Sequence, residues 1–259
     1  MQINTQDNWL KSPLGAYLLA NENAIYDEHV ANIFGFNALQ IGMLEMDLLR
    51  QSRIPHLLRV DSTAGDVRCD SEYLPFAPSS IDLICLPHVL EFSDNPHQTL
   101  REVERVLMPE GHVLLTGFNP ISTWGVRRAL SQNKNYPWCG RNLSMRRIKD
   151  WLALLGMEVV QGGNQVFVIP INEQRWLTRQ GCFEKFGKKY CSVLGGVYYI
   201  LAKKRVVNMT LLKPNWKKSI VNAGLVVTPQ KKRPMNNHMV WSTDLPLKQL
   251  KSKENNNNE

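Results

Sequence analysis

From residue 37 onward, short apolar segments alternate with segments that have the spacing of amphipathic helices. The most constraining segment is Ile81–Leu86, which is apolar except for Asp82 and is therefore typical of a strand covered on both faces. After it, Asp94-Asn95-Pro96 predicts a helix start, and an apolar stripe at helical spacing runs to Leu107. Strands that alternate with helices in this way predict a doubly wound α/β fold with a mostly parallel sheet.

The remaining elements are predicted from the same patterns. The predicted strands are 38–42, 57–61, 66–70, 112–118, 157–161 and 197–203, and the predicted helices include 44–53 and 144–155. Residues 44–53 suit a helix because Glu45 and Asp47 would lie at its positive N-terminal end. Ser12-Pro13 begins an N-terminal helical segment, which we expect to stop at Gly35.

The distribution of charge separates a body from a tail. Residues 203–259 hold 12 Lys or Arg and three Asp or Glu, whereas the first 202 residues hold 19 basic and 20 acidic side chains. The tail is also rich in Asn and interrupted by Pro, a composition that buries too little apolar surface to become ordered. We therefore expect an N-terminal helical segment (1–36), a Rossmann-like domain (37–205) and a basic, largely disordered tail (206–259). The tail is either a solvated extension or a contact for nucleic acid or anionic membrane.

Several features bear on the location of the protein and on metals. The chain has no run of about 18 apolar residues and no basic start followed by an apolar run, so we expect neither a transmembrane helix nor a secretory signal. Five cysteines without CxxC spacing argue against a disulfide framework and against a zinc cluster. These features predict a cytoplasmic protein with reduced thiols and no metal site, and no pattern indicates an oligomer.

Ligands of a doubly wound sheet bind outside the carboxyl ends of the strands, where the strand order switches. That rule selects Gly42, Asp61, Asp70, the segment Pro87-His88 and the loop after Phe118. Gly42 can bring backbone close to a ligand, and Asp61 lies about 20 residues later, where an acid can accept hydrogen bonds from ribose hydroxyls. Asp70 ends the next predicted strand and could accept from an adenine amino group. For both acids, the alternative is that they cap turns.

Two segments carry a resemblance to a known family. Residues 70–92 have the sequence DSEYLPFAPSSIDLICLPHVLEF, and residues 100–118 have the sequence LREVERVLMPEGHVLLTGF. They resemble the class I S-adenosylmethionine-dependent methyltransferases, in particular the type 11 group, in the order of acid, Leu-Pro-Phe turn, apolar strand and later turn. The resemblance extends less closely over residues 38–156. It implies a Rossmann-like methyltransferase fold, S-adenosylmethionine as cofactor, and transfer of a methyl group to an acceptor.

The resemblance also implies roles for residues at the predicted carboxyl edge. Gly42 would approach the methionine end of the cofactor, Asp61 would hold the ribose hydroxyls, and Asp70 would hold the adenine amino group. The walls of the adenine pocket would be Glu72, Leu74 and Phe76. Pro87 and His88 would lie beside the sulfonium and the acceptor, where His88 is either a general base or a residue that accompanies the pattern without acting on a proton.

The sequence departs from the family pattern around its first glycine motif. Gln40 stands at the position of the family's acid, and Leu44 and Met46 stand where family members have glycine. Between Asp61 and Asp66 only four residues intervene, where the family usually has a whole helix. The alternative to an enzyme is therefore a non-catalytic protein that kept the fold, lost the cofactor loop, and acts as a binding or scaffold module.

Residues 119–143 form a basic and aromatic insertion after the predicted fifth strand, which we call the cap. No acidic residue lies between Glu110 and Asp150, while basic and aromatic residues are interleaved there. The cap lies over the carboxyl edge, which predicts a small acceptor with a carboxylate or phosphate or, less readily, a nucleic acid. The candidate acceptor-binding residues are Asn119, Trp124, Arg127, Arg128 and Trp138. The alternative is that the tryptophans pack the cap onto the body while the arginines face water.

Overall fold

A seven-stranded sheet forms the centre of the fold. The computed structural model describes residues 8–130, 136–171 and 192–205. The strands are β1 (Asn37–Ile41), β2 (His56–Asp61), β3 (Val67–Arg68), β4 (Ile81–Pro87), β5 (Leu107–Phe118), β6 (Met157–Gln165) and β7 (Val197–Lys204). Their order is β3-β2-β1-β4-β5-β7-β6, and β7 runs antiparallel to both of its neighbours, whereas the other pairs are parallel. The predicted doubly wound, mostly parallel α/β fold is confirmed.

Helices connect and cover these strands. They are α1 (Pro13–Val30), α2 (Val89–Phe92), α3 (Pro96–Val106), α4 (Thr123–Leu130) and α5 (Met145–Leu154). The helices α1 and α5 begin where the sequence predicted, after Ser12 and Ser144. At each start the serine hydroxyl accepts a hydrogen bond from a backbone amide of the first turn, that of Gly15 or Arg147. The first helix ends at Val30, well before the predicted stop.

Different elements cover the two faces of the sheet, because side chains along a strand alternate in direction. In β4, Leu83 and Cys85 belong to one apolar core, and Ile84 and Leu86 belong to another. The first core includes α1 and the loop after β1, and the second includes α3 and α5. This strand is therefore buried on both faces, as its apolar sequence predicted.

Residues 44–53 do not form the predicted helix. The segment between β1 and β2 consists of turns, and its side chains Met43, Met46 and Leu48 are buried in the core on the α1 side. The prediction was wrong because a side chain outside the segment, that of Gln40, supplies the hydrogen bonds that order it. The third strand is also shorter than predicted, Val67–Arg68 instead of 66–70.

Gln40 organises this loop from a fully buried position. Its Nε2 donates to the carbonyl oxygens of Gly42, Met43 and Met46 at 3.3, 3.1 and 2.8 Å, and its Oε1 accepts from the amide of Leu48 at 3.2 Å. One amide side chain can serve all four backbone groups because its oxygen accepts while its two N–H groups donate, one of them shared between two of the three carbonyls. The loop thereby directs the side chain of Met46 into the core, although this position is a glycine in the family pattern.

The connection between β2 and β3 is a tight turn and not a helix, as the four residues between Asp61 and Asp66 indicated. The amide of Arg59 donates to the Asp66 carboxylate, and the amide of Asp66 donates back to the carbonyl of Arg59, both at 2.8 Å. Gly65 has φ of +95°, a backbone conformation that residues with a side chain rarely adopt.

Part of the predicted cap and the whole predicted tail cannot be compared with the structure. The tail (206–259) and residues 131–135 of the cap lie outside the described residues. Within the described ranges, no helix is both long and apolar enough to span a membrane. Over the same ranges, no group of three His, Cys, Asp or Glu side chains could hold a metal ion.

Gln40→Glu is expected to destabilise the protein even though it restores the acid of the family pattern. A carboxylate at this position would face three carbonyl oxygens, and a buried charge left without a partner costs about 3–5 kcal/mol. Urea unfolding followed by circular dichroism measures the change in the free energy of unfolding. Gln51→Glu, at an exposed position of the same loop, is the control. A loss below about 1 kcal/mol, the value of one ordinary hydrogen bond, would contradict the role given to Gln40.

Candidate active site

The residues selected from the sequence lie along one edge of the sheet. Gly42 follows β1, Asp61 ends β2, Pro87 ends β4 and Asn119 follows β5, and these four strands are parallel. Asp70 lies just beyond β3 at the same edge. The strand order reverses between β1 and β4, so the crevice at their carboxyl ends is the expected position for a ligand.

Gly42 allows the backbone after β1 to pass close to the segment after β4. Its φ is +73°, and a Cβ at this position would lie 3.2 Å from Cγ2 of Val89. Met43, the next residue, also has a positive φ of +46°, which is strained for a residue with a side chain. Such strain is concentrated at functional sites, which favours a functional interpretation of this corner.

The two acids at the strand ends both make the turn contacts that the sequence left as an alternative. Oδ2 of Asp61 accepts from the amide of Thr63 at 3.0 Å and from its hydroxyl at 2.7 Å. Oδ1 of Asp70 accepts from the amide of Glu72 at 3.1 Å. Each of these caps uses one carboxylate oxygen, so capping and ligand binding are compatible at both positions.

The residues proposed for the adenine pocket are mostly engaged inside the protein. Leu74 is buried in the core shared with α3, and Phe76 packs against the same core. Oε1 of Glu72 accepts from the hydroxyl of Ser93 at 3.0 Å and from a backbone amide just before α3 at 2.5 Å. The contacts of these three residues with an adenine ring stay a prediction. Pro87, which the resemblance places beside the sulfonium, is buried at the end of β4, and its contact with the cofactor also stays a prediction.

Three buried charged side chains lie together where β4 ends. Nε2 of His88 lies 2.5 Å from Oε1 of Glu22, and Nδ1 of His88 lies 3.2 Å from Oε2 of Glu91. None of the three is more than 2% exposed. The histidine has φ of +53°, and its ring centre lies 4.1 Å from that of Phe118. Sequence analysis selected His88 but missed both acids, which we group with it as the Glu22–His88–Glu91 triad.

The surroundings of His88 determine its charge. Burial by itself lowers the pKa of the imidazole, but the carboxylates of Glu22 and Glu91 outweigh burial and raise the pKa to about 10. Burial raises the pKa of Glu91, an effect that His88 partly opposes. The raised pKa favours the imidazolium form of the ring at neutral pH. These contacts favour a role in holding the structure over the general base that the resemblance allowed.

Glu22 could have been found from the periodicity of its helix. It lies four residues after Leu18 and four before Tyr26, on the buried and mostly apolar face of α1. A charged residue in that register becomes buried when the helix packs, and it then needs a partner. Its partner His88 lies 66 residues away, so the sequence offers no local sign of which residue that is.

The cap forms a small pocket beyond β5. Four of the five candidate acceptor-binding residues are among its walls, which include Phe118, Asn119, Trp124, Arg128, Trp138 and Asn142. The fifth candidate, Arg127, is exposed outside the pocket, and its guanidinium carbon lies 5.3 Å from the centre of the Trp138 ring. The cap residues that the sequence grouped by composition are therefore also grouped in space.

Two of these wall residues make the contacts expected of packing residues. Trp124 is 1% exposed, and its indole N–H donates to the carbonyl of Val168 at 2.9 Å. Nδ2 of Asn119 donates to the carbonyls of Val193 and Gly195 at 2.7 and 2.9 Å. Both side chains bind the cap to segments that lie between β6 and β7, as the packing alternative expected for the tryptophan.

Arg128 differs from the other wall residues because it retains an unused donor. Its Nη2 is buried and has no hydrogen-bond partner in the described part of the chain. Burial lowers the pKa of this guanidinium, and the charge of Glu91 partly opposes that effect. A buried N–H without an acceptor costs free energy, so the pocket favours a ligand that brings one. A carboxylate or phosphate group would do so.

Comparisons with known proteins concern the family and the fold of the chain. Residues 42–115 match the family described as a methyltransferase domain. The chain is also 31% identical to the uncharacterized protein YafS of Escherichia coli (strain K12) over 208 residues, which are 78% of this chain and 83% of the relative. The chain belongs to the type 11 group of class I S-adenosylmethionine-dependent methyltransferases.

Two further proteins are similar to this methyltransferase. The malonyl-[acyl-carrier protein] O-methyltransferase of Methylovorus sp. (strain MP688) is 29% identical over 118 residues, which are 46% of this chain and 40% of the relative. A solved S-adenosylmethionine-dependent methyltransferase of Thermotoga maritima, described as a possible histamine N-methyltransferase, has a TM-score of 0.55 at 15% identity. The match covers 78% of this chain and 96% of that one, and it concerns the fold.

His88→Gln is expected to lower the free energy of unfolding by about 3–5 kcal/mol near pH 7, because it leaves two buried carboxylates without a counter-charge. In the unaltered protein, the contribution of the histidine is complete below pH 6.5, the ordinary pKa, and is lost as the pH rises toward about 10. In the variant the two acids can take up protons at low pH. The difference in the free energy of unfolding between the variant and the unaltered protein should therefore become smaller toward pH 5.

Urea unfolding at a series of pH values measures both effects. His56→Gln, at an exposed histidine where β2 begins, is the control. A difference from the unaltered protein that does not change between pH 5 and pH 7 would contradict a charged triad.

Proposed function

We propose that this methyltransferase binds S-adenosylmethionine at the carboxyl edge of the parallel strands and transfers the methyl group to an oxygen of an acceptor that carries a carboxylate or phosphate. The observation that carries the acceptor class is Arg128, a wall residue of the cap pocket whose buried Nη2 has no hydrogen-bond partner among the described residues. A guanidinium suits these groups because its planar fork of N–H donors matches their oxygen atoms. The name of the Methylovorus relative, an O-methyltransferase of a malonyl group, supports an oxygen acceptor.

The residues at the edge fit the nucleoside half of the cofactor. The ribose hydroxyls and the adenine amino group all donate hydrogen bonds, and Asp61 and Asp70 supply carboxylate acceptors at neighbouring strand ends. Gly42 supplies backbone without a side chain at the end of β1, where the methionine end would pass. When bound, the cofactor supplies a methyl group that is already activated for in-line attack.

The chain itself then has to orient the acceptor and exclude water. Arg128 would hold one anionic group of the acceptor, with Phe118 and Trp138 as apolar walls beside it. An ionised carboxylate or phosphate oxygen needs no general base, so the enclosed imidazolium of His88 does not have to accept a proton. We also propose a cytoplasmic location, which the free thiols of Cys69, Cys85 and Cys139 support.

Calorimetric titration with S-adenosylhomocysteine tests the cofactor site. Asp61→Asn and Asp70→Asn should each weaken binding about tenfold or more, because each removes a hydrogen bond to a charged group, worth about 1.5–3 kcal/mol. Asparagine keeps an acceptor oxygen for the turn, and Asp94→Asn, at an exposed position, is the control. Unchanged binding in both variants would contradict this position for the cofactor. A folded chain that does not bind would favour the non-catalytic alternative.

Arg128→Gln and Arg127→Gln are a matched pair that tests the acceptor pocket, because the two arginines are neighbours on α4 and only the first lines the pocket. Methyl transfer from radiolabelled S-adenosylmethionine to a panel of carboxylates, phosphates and malonyl thioesters would identify an acceptor. Loss of Arg128 should raise the KM for that acceptor about tenfold or more, whereas loss of Arg127 should change it less than about twofold. Transfer to RNA or DNA, with equal dependence on both arginines, would contradict the small anionic acceptor.

A further inference from the structure

We infer that Glu22 is a positioning residue for the cap pocket, because it begins a series of buried contacts through His88 and Glu91 that ends at the walls of that pocket. The ligand of the pocket rests on the function proposed above. The contacts do not depend on it, and they can be tested separately.

The series of contacts begins on α1 and ends at two places in the pocket wall. Glu22 meets one nitrogen of His88 at 2.5 Å, and Glu91 meets the other at 3.2 Å. The second oxygen of Glu91 accepts the amide of Phe118, a wall residue, at 2.6 Å. The carbonyl of Glu91 accepts the amide of Arg141 at 2.7 Å, and Arg141 is adjacent in sequence to another wall residue. The N-terminal helix therefore fixes the wall through three buried side chains.

Charge links the triad to the pocket in addition to these contacts. The carboxylate of Glu91 interacts electrostatically with Arg128, whose guanidinium lines the pocket. Two carboxylates, one imidazolium and one guanidinium thus share a buried region. Fields in such a region are screened less than at the surface, so the loss of one charge is felt by the others. The charge that acts on Arg128 is thus that of Glu91, which Glu22 reaches through His88.

Stability alone does not account for an acid at residue 22. Glu22 is completely buried, and its Oε2 has no hydrogen-bond partner among the residues that the structure describes. A well-packed apolar residue on this face of the helix would avoid both penalties. His88 is also held in a left-handed conformation, which a residue with a side chain keeps only when its surroundings enforce it. These features are typical of a group retained to hold an orientation.

An NMR titration of the unaltered full-length chain tests the link without any substitution. If the triad positions the wall, the Phe118 amide and the side-chain N–H of Arg128 should shift with the same midpoint as the imidazole of His88, well above pH 7. The groups that face the triad are its own two carboxylates, the Arg128 guanidinium, and the phenols of Tyr26, Tyr136 and Tyr198. Burial raises the pKa of each of these phenols well above 10, so they stay protonated over this range. Separate midpoints for His88 and Phe118 would overturn the inference.

Glu22→Gln separates the charge of this residue from its shape, and Glu28→Gln, at an exposed position of the same helix, is the control. In the first variant the titration of His88 should move toward its ordinary value, and the resonances of Phe118 and Arg128 should change. The affinity for malonate, followed at the Arg128 resonance, should fall about tenfold. A variant in which His88 titrates lower while Phe118, Arg128 and malonate affinity are unchanged would overturn the inference.

The same experiment distinguishes failure of the inference from failure of the proposed function. Calorimetric binding of S-adenosylhomocysteine should be equal in Glu22→Gln and in the unaltered chain, because the triad acts on the acceptor side. If the unaltered chain binds neither malonate nor inorganic phosphate, the proposed acceptor class is wrong, and the common titration of His88 and Phe118 still decides the inference. If Glu22→Gln does not fold, the common titration of His88 and Phe118 in the unaltered chain still decides whether the inference holds.

Discussion

The buried contact between Glu22 and His88 joins two parts of the chain that the sheet alone would leave independent. A carboxylate and an imidazolium can be buried together because each compensates the charge of the other, whereas either one alone would have to lose its charge or remain in water. This requirement fixes the helix α1 over the end of β4. Once it is fixed there, its apolar residues cover one face of the sheet. Its acid Glu22 is then connected to the cap pocket through His88 and Glu91.

The position of α1 and the divergent glycine motif are physically connected. The loop after β1 has methionines at residues 43 and 46, and their side chains are buried in the core that α1 shares. Gln40 provides the hydrogen bonds that such a loop needs in place of a helix. The departure from the family pattern is therefore not simply a loss, because the changed loop, the glutamine and the N-terminal helix form one packed unit on this face.

The sequence predicted the elements whose signals are local. The run Ile81–Leu86 is apolar except for Asp82 because both of its faces are covered, and that property is visible in the sequence of the run itself. The helix expected at 44–53 was wrong because the group that orders the segment is the amide of Gln40, which lies outside it. Topology alone placed Gly42 and the acids at one edge, but their roles toward a cofactor stay predictions. Glu22 was missed because its partner is distant in sequence.

The cap shows the same division between local and distant signals. Its composition predicted a cluster of basic and aromatic side chains, and the structure brings four of the five candidates into one pocket. Composition could not distinguish Trp124, whose indole donates to Val168, from Arg128, whose Nη2 has no acceptor in the described part of the chain. That distinction depends on contacts with residues that come much later in the chain.

The order in which the chain is made has a consequence for this enzyme. The segment that matches the family, residues 42–115, contains the recognisable motif, but β5 obtains its second neighbour only from residues 197–204. Asn119 and Trp124 are likewise held by carbonyls at residues 168, 193 and 195. In a nascent chain the strands of the carboxyl edge are therefore made long before the segments that hold the cap pocket. The pairing of the antiparallel strand β7 with β5 therefore completes the fold, and only then can the carboxyl edge of the parallel strands and the cap pocket be present together.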